Sequence, residues 1–237
     1  MAFIFCLTGS ASTQTDDLFR NALHAYRAAN YTSAAIEFRD IATRRPATGA
    51  LQNLGLAEWQ CGRTGPAVLA WEQALWMDPF NGAARGNLQF VRKQGQLESP
   101  ELAWYEVVSS WLPAMWWGWI ASVSFWLALG MATVPGLLRR RKSAWHQAIA
   151  ALGLMIFLLS LPAQAGLHTR SQIGFILEKD TPLRLTPTHE AQVITRLPSG
   201  TPVRLERTRG NFLLLRAGSQ SLQGWIEKGQ LGFLTLG

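Results

Sequence analysis

Residues 111–165 read WLPAMWWGWIASVSFWLALGMATVPGLLRRRKSAWHQAIAALGLMIFLLSLPAQA, and this stretch decides how the chain is organised. Two segments without any Asp, Glu, Lys or Arg, 111–138 and 144–165, flank a short basic loop at 139–143. A helix needs about 20 apolar residues to span a bilayer, and each segment is long enough. The sequence therefore predicts a membrane protein with two transmembrane helices that form an antiparallel hairpin.

The loop between the two predicted helices sets the orientation of the hairpin. Short loops rich in Lys and Arg stay on the cytoplasmic side of a membrane. We therefore predict a two-pass protein of the bacterial inner (cytoplasmic) membrane, with both flanking regions periplasmic or otherwise extracytoplasmic. The alternative, two core helices of a soluble protein, would leave four adjacent cations without acidic partners in the sequence. These cations are Arg139, Arg140, Arg141 and Lys142.

The N-terminus carries a second targeting feature. Residues 1–12, MAFIFCLTGSAS, join an apolar stretch to small residues, as the second half of a signal peptide does, but lack a basic start. We interpret them as a truncated signal sequence, which agrees with an exported N-terminal region. Residues 139–165 have a similar layout and end in Pro-Ala-Gln-Ala, so cleavage after Ala165 that releases the C-terminal region is an alternative.

The net charge of +7 has a topological origin. Residues 1–106 carry nine Lys and Arg against ten Asp and Glu, the loop carries four basic residues, and residues 166–237 carry nine basic against five acidic residues. Outside the loop, no run of basic residues resembles a stripe that follows a phosphate backbone. We expect no nucleic-acid partner.

Few residues suggest chemistry. The chain has two cysteines, too few for a disulfide framework, and its four histidines show no spacing typical of metal ligands. The sequence contains no Gly-rich phosphate loop, nucleophile elbow or HExxH motif. We therefore expect a protein that is not an enzyme, without catalytic residues, cofactor or metal.

Residues 13–97 repeat with an offset of 33 residues, and a helical period fills the intervals. Pro46 and Pro79 are placed to end the second helix of each pair, and 81–95 predicts a further capping helix. The repeat resembles the tetratricopeptide repeat. The second copy meets its pattern with Leu51, Leu54, Gly55, Ala67, Trp71, Ala74 and Pro79.

Tetratricopeptide arrays bind peptides or partner helices in a groove lined by the first helix of each pair. The resemblance implies an apolar groove suited to a hydrophobic segment or an amphipathic helix. The alternative is that Tyr26 and Trp59 only pack against adjacent repeats. The implied groove residues are Phe19, Leu23, Tyr26, Gln52, Leu56 and Trp59. A helix start at Ser99-Pro100-Glu101 predicts a connecting helix over 98–110.

The period changes after Gly166 from helical to alternating, which predicts about five short strands in a small barrel over 170–237. Its features resemble a bacterial SH3-like domain, most specifically at Gly224-Trp225-Ile226. Such domains bind peptidoglycan peptides or proteins, so Trp225 and Arg184 are candidate surface contacts. A tryptophan buried in the barrel is an equal alternative. An acidic polymer or partner would be favoured by four arginines of this region, Arg184, Arg204, Arg207 and Arg209. The alternative is that strand alternation simply places these arginines on a solvated face.

The order of these parts resembles the tetratricopeptide member of the aerotolerance-operon (Bat-type) membrane proteins. The expected fold is thus multidomain: all-α helical repeats, a two-helix transmembrane hairpin and a small all-β SH3-like barrel. The resemblance implies a scaffold that works with von Willebrand factor A-domain membrane proteins and a MoxR-type AAA+ ATPase in aerotolerance or envelope stress. The alternative function is a peptidoglycan-binding tether that recruits cell-wall enzymes.

Overall fold

The computed structural model describes residues 9–137, 144–218 and 222–235, with only the backbone described for 9–15 and Pro135. The predicted loop cations and residues 1–8 of the predicted signal sequence lie outside the described residues. The chain forms two compact units. One joins Met1–Glu101 to Ser171–Gly237, and the other is Leu102–Arg170. The first unit is therefore built from chain on both sides of the second.

Five helices form the N-terminal part of the first unit, and each packs on the next along the chain. Pro46 and Pro79 lie in the connections after the second and fourth helices. The side chains of Asn30 and Asn81 cap two of the helices by accepting from the backbone N–H of Ser33 and Ala84. The helices are α1 (Gly9–Arg27), α2 (Tyr31–Arg44), α3 (Thr48–Gln60), α4 (Thr64–Met77) and α5 (Gly82–Gly95).

Large aromatic side chains fill the space between the helices. Phe38 and Trp71 are buried, and the Trp71 indole lies where a Cβ at Gly55 would have to be. Trp71 Nε1 also donates to the Gln52 carbonyl oxygen at 3.2 Å. The glycine therefore allows α3 and α4 to approach closely over a large buried ring.

Within the described ranges 171–218 and 222–235, the C-terminal part of the first unit has seven strands, rather than the predicted five or so. They form an open antiparallel sheet in the order β3-β2-β6-β5-β4-β1-β7, and all seven contribute to one buried cluster. The sheet confirms an all-β C-terminal region. The strands are β1 (Ile173–Ile176), β2 (Thr181–Arg184), β3 (Val193–Leu197), β4 (Pro202–Arg209), β5 (Phe212–Ala217), β6 (Leu222–Glu227) and β7 (Leu231–Phe233).

Helix α4 joins the helices to the sheet. The backbone N–H of Gly65, in its first turn, donates to Ser199 Oγ at 2.7 Å, which satisfies a donor that the helix itself leaves without a partner. Gln73 Nε2 donates to the Phe233 carbonyl oxygen at 2.8 Å. The Leu69 side chain packs against Gly232. The sequence predicted two separate domains here, whereas the structure has one compact unit.

The second unit holds α6 (Trp104–Ser109), α7 (Ala114–Leu137) and α8 (Ala144–Arg170). Two of its segments, Ala114–Val134 and Ala144–Arg170, are helical, long enough and apolar enough to cross a membrane. α8 continues past Pro162 and Ala165, beyond the predicted end at 165. The connecting helix was predicted over 98–110, but residues 97–103 have no regular secondary structure, so α6 is shorter than predicted. A residue before proline disfavours the helical conformation, and Ser99 precedes Pro100.

Candidate functional site

Three of the predicted groove residues lie on α1 and are engaged within the helical array. Phe19, Leu23 and Tyr26 are partly buried and pack against a core cluster to which α1, α2, α3 and α4 all contribute. The Phe19 ring meets Phe38 edge to face, with centroids 5.6 Å apart, and Tyr26 meets Tyr31 in the same way at 5.2 Å. These aromatic contacts stabilise the packing of α1 on α2. They leave only part of each side chain for a partner.

The other three predicted groove residues lie on α3, and the structure places two of them, Gln52 and Trp59, next to α5 or its N-terminal cap. The Gln52 side-chain oxygen accepts from Asn81 Nδ2 at 3.2 Å. Leu56 is half-buried. Trp59 meets Phe90 edge to face, with ring centroids 6.3 Å apart. We call Leu56, Trp59 and Phe90 the α3–α5 surface.

Phe90 is the residue of this surface that the sequence analysis did not name as a groove position. Its side chain is 60% exposed, although Leu88 and Val91 on either side of it are buried. Leu88 and Val91 have the spacing of a core stripe on α5, and Phe90 falls off that stripe. Single exposed apolar residues are common on helices, so the sequence alone contains no signal that Phe90 lies beside Trp59.

The second predicted surface lies on the sheet. Trp225 is paired with Leu214 of β5 on one side and with Arg184 of β2 on the other, and Leu214 is paired with Arg207 of β4. Directly paired residues of antiparallel strands project from the same face. Arg207, Leu214, Trp225 and Arg184 therefore form one row across four strands, which we call the Arg–Trp row.

The Arg–Trp row lies on the face opposite the core of the sheet. Gly224 and Ile226, the neighbours of Trp225, are buried, and Ile226 belongs to the core cluster. Trp225 itself is half-buried and is not part of that cluster. In the structure, Trp225 thus projects away from the core of the sheet.

A second row of paired residues lies beside the Arg–Trp row, and His189 covers its central residue, Phe212. Arg209 is paired with Phe212, which is paired with Glu227. The His189 ring lies over Phe212, with centroids 5.1 Å apart, and its Nδ1 is 3.0 Å from Glu227 Oε1. The β2–β3 connection therefore shields Phe212, and Arg209 is the exposed member of this row.

The charges on this face do not balance. Arg207 and Arg209 are exposed, and within the described part of the chain neither lies within ion-pair distance of a carboxylate. The carboxylates of β4 and β6 are engaged, Glu206 by Arg216 and Glu227 by His189. Arg184 Nη1 donates to the Ala191 carbonyl oxygen at 3.3 Å, a bond that leaves its charge uncompensated. The face is therefore positive around an apolar centre.

Across the ranges 9–137, 144–218 and 222–235, no group of three or more His, Cys, Asp or Glu side chains is placed to hold a metal ion. Both surfaces combine aromatic side chains with polar groups at their edges, which is the composition of binding surfaces.

Comparison with known proteins finds no match: no family model matches the sequence, and neither a curated protein nor a solved structure matches the chain.

Proposed function

We propose that the protein is a non-catalytic scaffold of the bacterial envelope, anchored in the inner membrane by α7 and α8. The observation that carries this proposal is that one compact unit contains chain from both sides of the two apolar helices. A pair of membrane-spanning helices returns the chain to the side that it left. The anchor and the single folded unit are therefore compatible, and the unit is displayed on one side of the membrane.

The side on which the unit is displayed follows from the loop between the helices. Four basic residues at 139–142 favour the cytoplasm, so the folded unit faces the periplasm or the cell exterior. This orientation agrees with the signal-like residues 1–12.

The adaptor role is supported by two surfaces on one unit. The sequence of the helical pairs resembles tetratricopeptide repeats, which bind partner segments, and the sequence of the C-terminal region resembles an SH3-like domain. Two weak contacts on one compact body raise each other's apparent affinity because the second contact forms at a high effective concentration. By the Bat-type resemblance, the partners are von Willebrand factor A-domain membrane proteins and a MoxR-type AAA+ ATPase.

The test is co-purification of the tagged full-length protein from native membranes in mild detergent. We expect A-domain proteins or the ATPase to be recovered with the wild type and with Ile36→Ala, but not with Phe90→Ala. Ile36 is 59% exposed and Phe90 60%, so the two substitutions remove similarly exposed apolar groups from different helices. Equal recovery with both variants would refute the α3–α5 surface as the binding groove.

The alternative function, a peptidoglycan-binding tether, is favoured by Trp225, an aromatic side chain that projects away from the sheet core. It predicts that the detergent-purified full-length protein sediments with peptidoglycan sacculi and that Trp225→Ala releases it. A wild-type protein that stays in the supernatant argues against the tether. Recovery of cell-wall enzymes that is unaffected by Phe90→Ala would favour it over the adaptor.

A further inference from the structure

We propose that the Arg–Trp row, together with Arg209, binds an extended acidic peptide segment that carries an apolar side chain between two acidic ones. This inference rests on the proposed scaffold role and names the chemistry of the second contact. The segment lies across the strands, with its apolar side chain on Leu214 and Trp225. Its carboxylates lie near Arg184 on one side and near Arg207 and Arg209 on the other.

The spacing of the row supports a peptide of this pattern. Neighbouring strands lie about 4.8 Å apart, so Arg207 and Arg184, separated by three strand-to-strand steps, lie roughly 14 Å apart. An extended chain rises about 3.3 Å per residue, and residues i and i+4 are therefore about 13 Å apart on one face of the peptide. Residue i+2 projects from that same face, over Leu214 and Trp225.

The electrostatics of the row support an acidic occupant. Arg207 and Arg209 face no carboxylate in the described residues, and the nearby Glu206 and Glu227 are engaged by Arg216 and His189. Guanidinium groups form short, bidentate hydrogen bonds with carboxylates. A carboxylate brought beside the half-buried Trp225 and Leu214 would be partly shielded from water, which strengthens such a pair relative to one on an open surface.

The chain already places an acidic segment against this sheet. Residues 97–101 lack regular secondary structure, and the Glu101 carbonyl oxygen accepts from Arg204 Nη2 at 3.3 Å. The Glu98 carboxylate lies 3.1 Å from the position that a Cβ at Gly218 would take. Arg204 is on β4, on the same outward face as Arg207. An irregular segment with two glutamates is thus accommodated at the start of this face. The Arg–Trp row continues the face with arginines that have no carboxylate partner among the described residues.

The test measures binding of a fluorescent peptide with a repeated Glu-Ser-Leu-Ser pattern to the full-length protein in phosphatidylcholine nanodiscs. We expect binding that weakens as salt rises, because the contact depends on exposed charges. Arg207→Glu with Arg209→Glu should weaken it at least about tenfold, since the two introduced glutamates would repel the acidic peptide. The matched control is Arg45→Glu with Lys179→Glu, which changes the net charge equally at two exposed positions elsewhere and should leave the affinity within about twofold.

Three results would overturn the inference. The first is an affinity weaker than about 1 mM for the wild type. The second is an equal loss of peptide affinity in the control variant, which would show that the net charge of the protein alone causes the loss. The third is that inorganic polyphosphate competes as strongly as the peptide at equal total charge, which would show that the face binds anions in general. Because the assay uses no cellular partner, its failure is separable from failure of the co-purification through Phe90.

Discussion

At the scale of single residues, Gly65 and Ser199 show how the helices and the sheet become one unit. The first N–H groups of a helix have no partner within it, and the residue before α4, Arg63, provides no side-chain cap. Ser199, from the turn before β4, supplies the acceptor, and its own hydroxyl lies 3.2 Å from the Leu177 carbonyl oxygen. The space is tight, because a Cβ at Gly65 would overlap the carbonyl oxygens of Ile176 and Leu177.

Gly65→Ala should therefore destabilise the first unit, by about 1–3 kcal/mol for overpacking against fixed backbone. The midpoint of thermal unfolding would fall by several degrees, since about 1 kcal/mol shifts a domain of this size by about 2–4 °C. The matched control is Gly82→Ala, in the first turn of α5, where a Cβ meets nothing within 4 Å. A control variant as unstable as Gly65→Ala would show that the contact with Ile176 and Leu177 does not set the effect.

At the scale of elements, α7 and α8 pack closely through small residues. A Cβ at Gly153 of α8 would lie 2.9 Å from the Ser124 carbonyl oxygen and 3.2 Å from the Ala128 Cβ on α7. Gln164 Nε2 donates to the Trp117 carbonyl oxygen at 3.4 Å. In a membrane, the lipid is as apolar as the side chains, so close packing and such polar contacts hold helices together.

Gly153→Leu should separate the two helices and lower the thermal stability of the detergent-purified protein. The added side chain has no room beside Ser124 and Ala128, and overpacking of this kind costs about 1–3 kcal/mol. Gly130→Leu, on α7, is the control, because a Cβ there meets nothing within 4 Å. The readout is the midpoint of heat-induced aggregation. Equal midpoints for both variants would contradict the packing at Gly153.

The elements could be predicted from the sequence wherever a pattern is local. Pro46 and Pro79 separate helical pairs, and the uncharged segments mark the two apolar helices. β1 was missed because all four of its residues, Ile173–Ile176, are buried, so it shows no alternation. β7 was missed because three residues, Leu231–Phe233, are too short for a period to be recognised.

At the scale of the whole molecule, the assembly of the first unit was not predictable from local patterns. The contact between Gly65 and Ser199 joins residues 134 apart, and neither residue is unusual at its position. The Arg–Trp row likewise depends on strand pairing. A shift in register between Leu205 and Arg207 places both Arg204 and Arg207 on the outward face. Sequence patterns suggested every residue of the two surfaces except Leu214 and Phe90. They did not show which of these residues lie next to one another in the fold.

The proposed anchor predicts that both parts of the first unit face the same side of the membrane. In a protein with Cys6→Ala and Cys61→Ala, single cysteines at Thr32 and Lys179, both exposed, should react with an impermeant maleimide added to intact spheroplasts. A cysteine at Lys142 should react only after the membrane is permeabilised, because its loop is basic. Labelling of Thr32 and Lys179 from opposite sides would contradict both the anchor and the compact unit.

The union of α4 with the sheet also sets an order for biogenesis. The ribosome adds about 5–20 residues per second, so on the order of ten seconds separate the synthesis of Gly65 from that of Ser199. During this interval the side chains of Val68 and Leu69 lack their packing partners around Gly200 and Gly232. In a chain anchored as proposed, Ser199 reaches Gly65 only when the hairpin has been inserted with both ends on one side. Folding of the first unit would then act as a proofreading step for membrane insertion.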